Sequence, residues 1–284
     1  MLFAAVAAEK PPAGAHLECT SLLGRKLYSL PDKDGLVAAA EKELRGDQKH
    51  PGLWLKLAQA QAAVWQDREA VATLAHALQL APNNPALYTE RGHRELPLRD
   101  FDAAETDLKR AVALDGKNVE AHYHLGLAYY FRAEFDKAAS AFQNAVDAAP
   151  NTDSLINSTN WLYASLRRAN KPDEAAKALA KITPEMNNTE PHTAFYLTLV
   201  RFFQGKVNES DAVPEPPAPD NTNTETELKF DTIAYGVGNW HLYNGETAKA
   251  KEYFERVVKG RVWITWGFVG AEADLAGLRG KRRR

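Results

Sequence analysis

Every 34 residues this chain repeats itself. Trp54, Tyr88 and His122 stand 34 apart, and so do Ala58, Gly92 and Gly126. The same interval separates Ala70, Ala104 and Ala138, then Leu74, Leu108 and Phe142, then Ala77, Ala111 and Ala145, with Pro82, Gly116 and Pro150 closing each unit. These columns keep register through three consecutive units, 51–84, 85–118 and 119–152. A period of this size marks one supersecondary element that cannot bury its apolar face alone and must stack on its neighbours. Within the first unit, apolar residues recur at three- and four-residue intervals over 53–65 and again over 68–80, the spacing of two amphipathic helices. Small residues (Ala58, Ala70, Ala77) stand where two antiparallel helices approach closely, and large ones (Trp54, Leu57, Leu74) fill the space between them. Pro82 and Pro150, each followed by asparagine, end one helix and start the next turn.

These columns resemble the tetratricopeptide repeat family, whose unit reads W-x2-L-G-x2-Y, then Ala, a large apolar residue, Ala and Pro. The third unit carries Leu125, Gly126, Tyr129, Ala138, Phe142, Ala145 and Pro150; the first carries Trp54, Leu57, Ala58, Ala70, Leu74, Ala77 and Pro82. The resemblance implies an all-α fold: a right-handed superhelix of antiparallel helix pairs with a concave face. Such a motif is specific for fold and says little about function.

Beyond residue 152 the register slips by three. Asn170-Lys171-Pro172-Asp173-Glu174-Ala175 matches the turn between helices, placing a fourth repeat at 156–189. A fifth, 191–207, has one very apolar helix (Phe195, Leu197, Leu199, Val200, Phe202, Phe203) and no visible second helix. In its place, 208–227 holds six acidic residues, no Lys or Arg, and Pro214, Pro216, Pro217 and Pro219. That density of proline excludes a helix and predicts an acidic linker. A sixth unit and a C-terminal capping helix (Trp263 to Leu275) are expected within 228–276, with Gly238 at the close-packing site and Ala250, Phe254 and Val257 following at repeat spacing. About six units therefore make up the chain, the fifth irregular. At the other end, 15–50 reads as an N-terminal segment with a capping helix over 34–44, and 277–284 as a basic, solvated tail.

Composition narrows the function classes. With 35 Lys and Arg against 37 Asp and Glu, the net charge is −2, which gives no basic excess for general nucleic-acid binding. One cysteine, Cys19, leaves neither a disulfide framework nor a thiolate zinc site. No apolar run reaches the roughly 18 residues of a membrane-spanning helix. The first 14 residues include the apolar stretch Met1 to Ala8 with an A-x-A pattern at Ala5-Val6-Ala7, followed by Glu9-Lys10-Pro11-Pro12. This reads as the end of a signal peptide whose basic region lies upstream, and predicts a periplasmic or secreted protein; the alternative is a meaningless apolar tip on a cytoplasmic one.

No catalytic constellation is visible. His122 and His124 are two apart, point to opposite sides of a helix and make no metal pair. Walker, dinucleotide-binding, zincin and nucleophile-elbow motifs are all missing, so neither cofactor nor metal is expected. The one enzymatic alternative is a site around His192, His241 and the acidic insert.

The family resemblance implies instead a partner-binding face. Carrying over the positions that line its concave surface gives Gln59, His93, Tyr123, Tyr130, Phe131, Asn157, Asn160, Arg167, Arg168, Phe195, Phe202, Phe203, Tyr235, Asn239 and Tyr243. Aromatics with arginine and asparagine are the composition of binding hot spots. The alternative is that these aromatics form core or pack on the irregular insert. One subclass of the family clamps acidic chaperone tails with Lys, Asn and further basic residues, but Leu55 and Gln59, then Glu120 and His124, stand at those positions here, so a chaperone-tail co-factor is not expected. The expected partner is thus a protein or peptide in the groove. Two further expectations attach to this face: the insert's carboxylates lie across it as a pseudo-ligand beside Arg167 and Arg168, and the fifth repeat or the C-terminal helix pairs with a second copy to build a larger envelope or secretion-associated complex.

Overall fold

A computed structural model describes residues 11, 13–218 and 221–281. The expected signal stretch, Pro219 and the last three arginines lie outside the described residues. The elements in chain order are β1 (Leu17–Thr20), β2 (Lys26–Tyr28), α1 (Leu36–Gly46), α2 (Pro51–Ala63), α3 (Asp67–Leu80), α4 (Pro85–Glu95), α5 (Phe101–Leu114), α6 (Val119–Phe131), α7 (Phe135–Asp147), α8 (Thr152–Arg168), α9 (Pro172–Leu179), α10 (Thr193–Phe203), α11 (Glu209–Ala212), α12 (Thr224–Tyr243), α13 (Thr247–Val257) and α14 (Trp266–Lys281). The fold is an all-α helical repeat, organised as two compact units, Met1–Gly116 and Lys117–Arg284.

The repeat columns translate directly into geometry. Helix starts are capped by asparagine: the side chains of Asn84, Asn118, Asn151 and Asn223 accept from the backbone N–H of Ala86, Ala121, Ser154 and Glu225 at 2.8 to 3.0 Å. Each helix pair turns through one left-handed residue, filled in succession by Trp65, Arg99, Ala133, Asn170, Gly205 and Gly245, with φ between 59° and 87°. Six such residues at 34- to 40-residue spacing identify six helix–turn–helix units. Between the helices of a pair, the small column meets the large one. A Cβ added at Gly126 would lie 2.7 Å from the Phe142 ring, and one at Gly238 2.9 Å from Phe254.

In the first unit, α1 covers the open end of the first repeat. Val37, Ala40 and Leu44 pack on Leu57 and Val64, while Ala58, Ala70, Leu74, Ala77 and Leu87 form the core of the next layer. The capping helix expected over 34–44 is thus present as α1. The antiparallel hairpin β1–β2, with Leu17 opposite Tyr28 and Thr20 opposite Lys26, has no counterpart in the sequence reading. It is held by Arg68, whose backbone N–H donates to Glu18 Oε2 at 2.9 Å and whose guanidinium donates to the Glu18 carbonyl.

In the second unit, the three-residue slip is absorbed within the fourth repeat. Its first helix, α8, starts at Thr152 and runs 17 residues, one turn longer than α6 or α7. The fifth repeat's second helix is the single turn α11. The acidic stretch expected to be linker through 227 is shorter than that, because Asn223 caps α12 and Glu227 is already buried in it, accepting from the backbone N–H of Arg261 and Val262 at 2.7 and 3.0 Å. The C-terminal helix α14 packs on α12 and α13 and also reaches α6.

Candidate partner-binding surface

In the first unit, Gln59 is exposed on α2 and His93 is half-buried on α4, its ring against the Arg94 guanidinium. The remaining expected groove residues belong to the second unit, where the structure sorts them into an interior set and a rim.

The interior set is built round Trp161 on α8. Its ring stacks on Phe142 (6.2 Å, 15°), takes Tyr130 and Phe131 edge-on at 5.1 and 6.1 Å, and meets Tyr235 at 6.0 Å. Helix α14 closes this face: Trp266 touches His124 and Phe131 on α6 at 5.9 and 6.3 Å. Asp274 on α14 receives two bonds from Arg168, at 2.8 and 3.1 Å, and one from the Tyr235 hydroxyl at 3.1 Å, while Arg168 also donates to Asn239 at 2.9 Å. Burial lowers the readiness of Arg168 to hold its proton, but the adjacent Asp274 charge more than offsets it, and the guanidinium stays charged. Burial pushes the Tyr130 hydroxyl up to about 12. Tyr130, Phe131, Asn160, Phe195, Tyr235 and Asn239 are all buried. Tyr123 and Asn157 are half-buried, with Tyr123 edge-on to Phe142 and bonded to Tyr196. The void beside Asn160, Tyr196, Thr232 and Asn239 measures about 10 Å³, room for one water. These side chains are packed core, and the chain's own C-terminal helix lies where the sequence reading puts a partner.

The rim is different. Arg167, Phe202, Phe203 and Tyr243, four of the expected residues, come together at the C-terminal ends of α8, α10 and α12, and all four are half-buried. Phe203 stacks on Tyr163 at 4.6 Å, Phe202 meets Trp240 at 5.4 Å, and Tyr243 stands edge-on to Tyr163 at 6.1 Å. The Arg167 guanidinium lies 4.4 Å from the Tyr243 ring centre, within cation–π reach, and donates to Asn244 at 2.8 Å and to the Tyr163 hydroxyl at 3.3 Å. Among the described residues, both arginines bond to other groups than the insert's carboxylates, contrary to the pseudo-ligand expectation. Arg168 is taken by Asp274 and Arg167 by Asn244, while the insert's Glu209 binds His241, Lys249 and Tyr253. Tyr163, Trp240 and Asn244 are not among the expected groove residues. Trp240 lies one helical turn before Tyr243, a spacing that places it beside a residue already singled out.

Among the described residues, no group of three or more His, Cys, Asp or Glu is arranged to hold a metal ion, and no helix is long and apolar enough to cross a membrane. His241 does meet the insert through Glu209, but His192 is engaged elsewhere, against Phe195.

Comparison with known proteins agrees with the repeat geometry. The tetratricopeptide repeat family model matches residues 89–152, within the run of helix pairs that the structure shows. Anaphase-promoting complex subunit 3 of Schizosaccharomyces pombe is 26% identical over 245 residues, 81% of this chain and 36% of that protein. The E3 ubiquitin-protein ligase CHIP of Arabidopsis thaliana is 35% identical over 78 residues, 28% of each. The chain thus spans about a third of the length of these curated relatives. Among solved structures, MamA is similar at 26% identity and a TM-score of 0.48, over 52% of this chain and 85% of that one. YrrB, described as a TPR protein with an unusual peptide-binding site, is similar at 15% identity and a TM-score of 0.48, over 86% of this chain and 99% of that one.

Proposed function

We propose that this protein is a non-catalytic docking scaffold that takes a protein or peptide partner on the aromatic rim of its second unit. The observation that carries this reading is the convergence of Phe202, Phe203, Trp240, Tyr243 and Arg167 from three helices onto one half-buried patch. Trp, Tyr and Arg are the residue types that dominate binding energy when a partner desolvates them. Their rings are already ordered by mutual stacking, so docking on them demands little further loss of side-chain freedom. The interior face is covered by α14, whose Trp266 packs on His124 and Phe131.

A photo-crosslinking residue at Phe202, compared with one at Gln59, tests the site in native lysate. The expected result is a discrete adduct at Phe202 that disappears when Arg167, Trp240 and Tyr243 are changed together to Ala while far-ultraviolet circular dichroism is kept. Equal labelling from both positions, or an adduct indifferent to the triple change, would remove the rim from consideration.

A further inference from the structure

His241, near the end of α12, is buried to 2% exposure, yet both of its ring nitrogens face carboxylates. Nε2 lies 3.0 Å from Glu209 Oε2 and Nδ1 lies 2.9 Å from Glu246 Oε2. The ring is stacked parallel on Tyr253 of α13 (5.9 Å, 9°) and edge-on to Trp240 at 5.0 Å, so it has no freedom to turn away. Glu209 is the first residue of α11, and three groups on α12 and α13 hold its carboxylate: His241, the Tyr253 hydroxyl at 2.7 Å and the Lys249 ammonium at 2.9 Å. Burial pushes the Glu209 carboxyl up, but these bonds and the His241 charge outweigh it and hold the group below the usual carboxylate range. The Arg256 guanidinium lies 5.6 Å from the Tyr253 ring centre.

Apart from the packing of α11 on α10, the segment beyond Glu209 has little to hold it. Ala212 is the one buried residue in 208–218. After it, Val213, Pro214 and Pro217 are half-buried while Glu215, Pro216 and Ala218 are exposed, so one edge of this proline-rich stretch rests on the protein. Its prolines donate no hydrogen bond, so the polar attachment of this stretch is the clasp at its start.

A neutral imidazole carries one N–H and presents a lone pair at its other nitrogen, whereas the imidazolium donates from both. Only the protonated ring satisfies Glu209 and Glu246 together; after deprotonation one carboxylate faces a lone pair in a site without room for the ring to rotate. We propose that protonated His241 is the pin of a latch that fastens the acidic, proline-rich arm 208–218 onto α12 and α13, and that loss of this proton releases the arm. The closed arm requires the proton, so opening increases as pH rises.

Hydrogen exchange on the full chain reads this at the amides of Asp211, Ala212 and Val213, which donate to the carbonyls of Asn208 and Glu209 at 3.0 to 3.2 Å. After correction for the intrinsic pH dependence of exchange, opening should rise about tenfold to a hundredfold between pH 5.5 and 8.5, the equivalent of one charge-assisted hydrogen bond. In Glu209→Gln and in His241→Gln the arm should be open to a similar extent at both pH values; the first substitution, at a partly exposed site, keeps the test valid if the second fails to fold. Glu215→Gln, on the exposed side of the same arm, should keep the wild-type profile. Protection that is unchanged with pH in the wild type would show that Glu246 simply swings into water while Glu209 stays bound, and would overturn the latch, as would a wild-type profile in Glu209→Gln.

Discussion

Substituting Gly267 by alanine should loosen the C-terminal helix, and the structure sets the size of the effect. Gly267 stands in the first turn of α14 against the backbone of α12. A Cβ there would lie 2.5 Å from the Asp231 carbonyl carbon, closer still to its oxygen, and 3.0 Å from the Thr232 nitrogen. Carbon atoms in contact sit about 3.5 to 4.0 Å apart, so α14 must retreat by about 1 Å. The obstacle is backbone, which no rotamer change moves. That retreat opens a gap beneath Phe268, Val269 and Leu275, which are 1%, 0% and 3% exposed. Full burial of three such side chains is worth about 6 kcal/mol, and a gap of that size forfeits about a quarter to a half of the contact energy. The expected loss is about 1.5 to 3 kcal/mol. Gly277→Ala supplies the comparison, because it lies on the same helix with nothing within 4 Å of its added Cβ. There the greater helix propensity of alanine should stabilise by up to about 1 kcal/mol. Urea denaturation followed by tryptophan fluorescence measures both, with Trp263 buried at the α14 end of the second unit as reporter. If Gly267→Ala is as stable as Gly277→Ala, the close approach of α14 to α12 is wrong, and with it the account of why the inner face is closed.

Backbone strain and buried carboxylates give two further expected outcomes. At Gly245, φ is 87° and nothing lies within 4 Å of an added Cβ, so Gly245→Ala isolates the left-handed backbone cost, expected at about 1 kcal/mol in thermal or chemical denaturation; no change would mean that the turn relaxes freely. In the first unit, burial raises the carboxyls of Glu18 and Asp67 to about 7 and that of Glu95 to about 8. A raised carboxyl holds its proton more tightly in the folded than in the unfolded chain, so the stability it lends is complete below about pH 4 and drains away as pH climbs through 7 to 8. Corrected exchange at Leu30, whose amide donates to the Val64 carbonyl, should therefore be faster at pH 8.5 than at 5.5, and Glu18→Gln should flatten the difference. A flat wild-type profile would contradict the burial of Glu18.

Much of the fold was legible because the information is local. Alternation of small and large residues sixteen apart, as in Gly126 and Phe142, states which faces of two helices meet, and the asparagines before four of the six first helices state where the chain turns. The hairpin was not legible: β1 and β2 have four and three residues, and their hold on Arg68 spans a separation of 50. The single turn α11 was hidden by the prolines behind it. The binding face was half legible. Arg167, Phe202, Phe203 and Tyr243 were visible as helix positions, and their assembly with Tyr163 and Trp240 into a rim depended on three helices ending at one level.

By itself, then, the sequence determined the helix pairs, their turns, and the aromatic and arginine side chains on the first helix of each pair, since periodicity and capping act within a few residues. Only the tertiary structure decided which of those side chains are surface and which are core. That choice belongs to α14, whose Trp266 and Asp274 contact residues more than a hundred positions earlier, at Phe131 and Arg168. No pattern within a 34-residue repeat encodes where a helix beyond the repeats comes to rest.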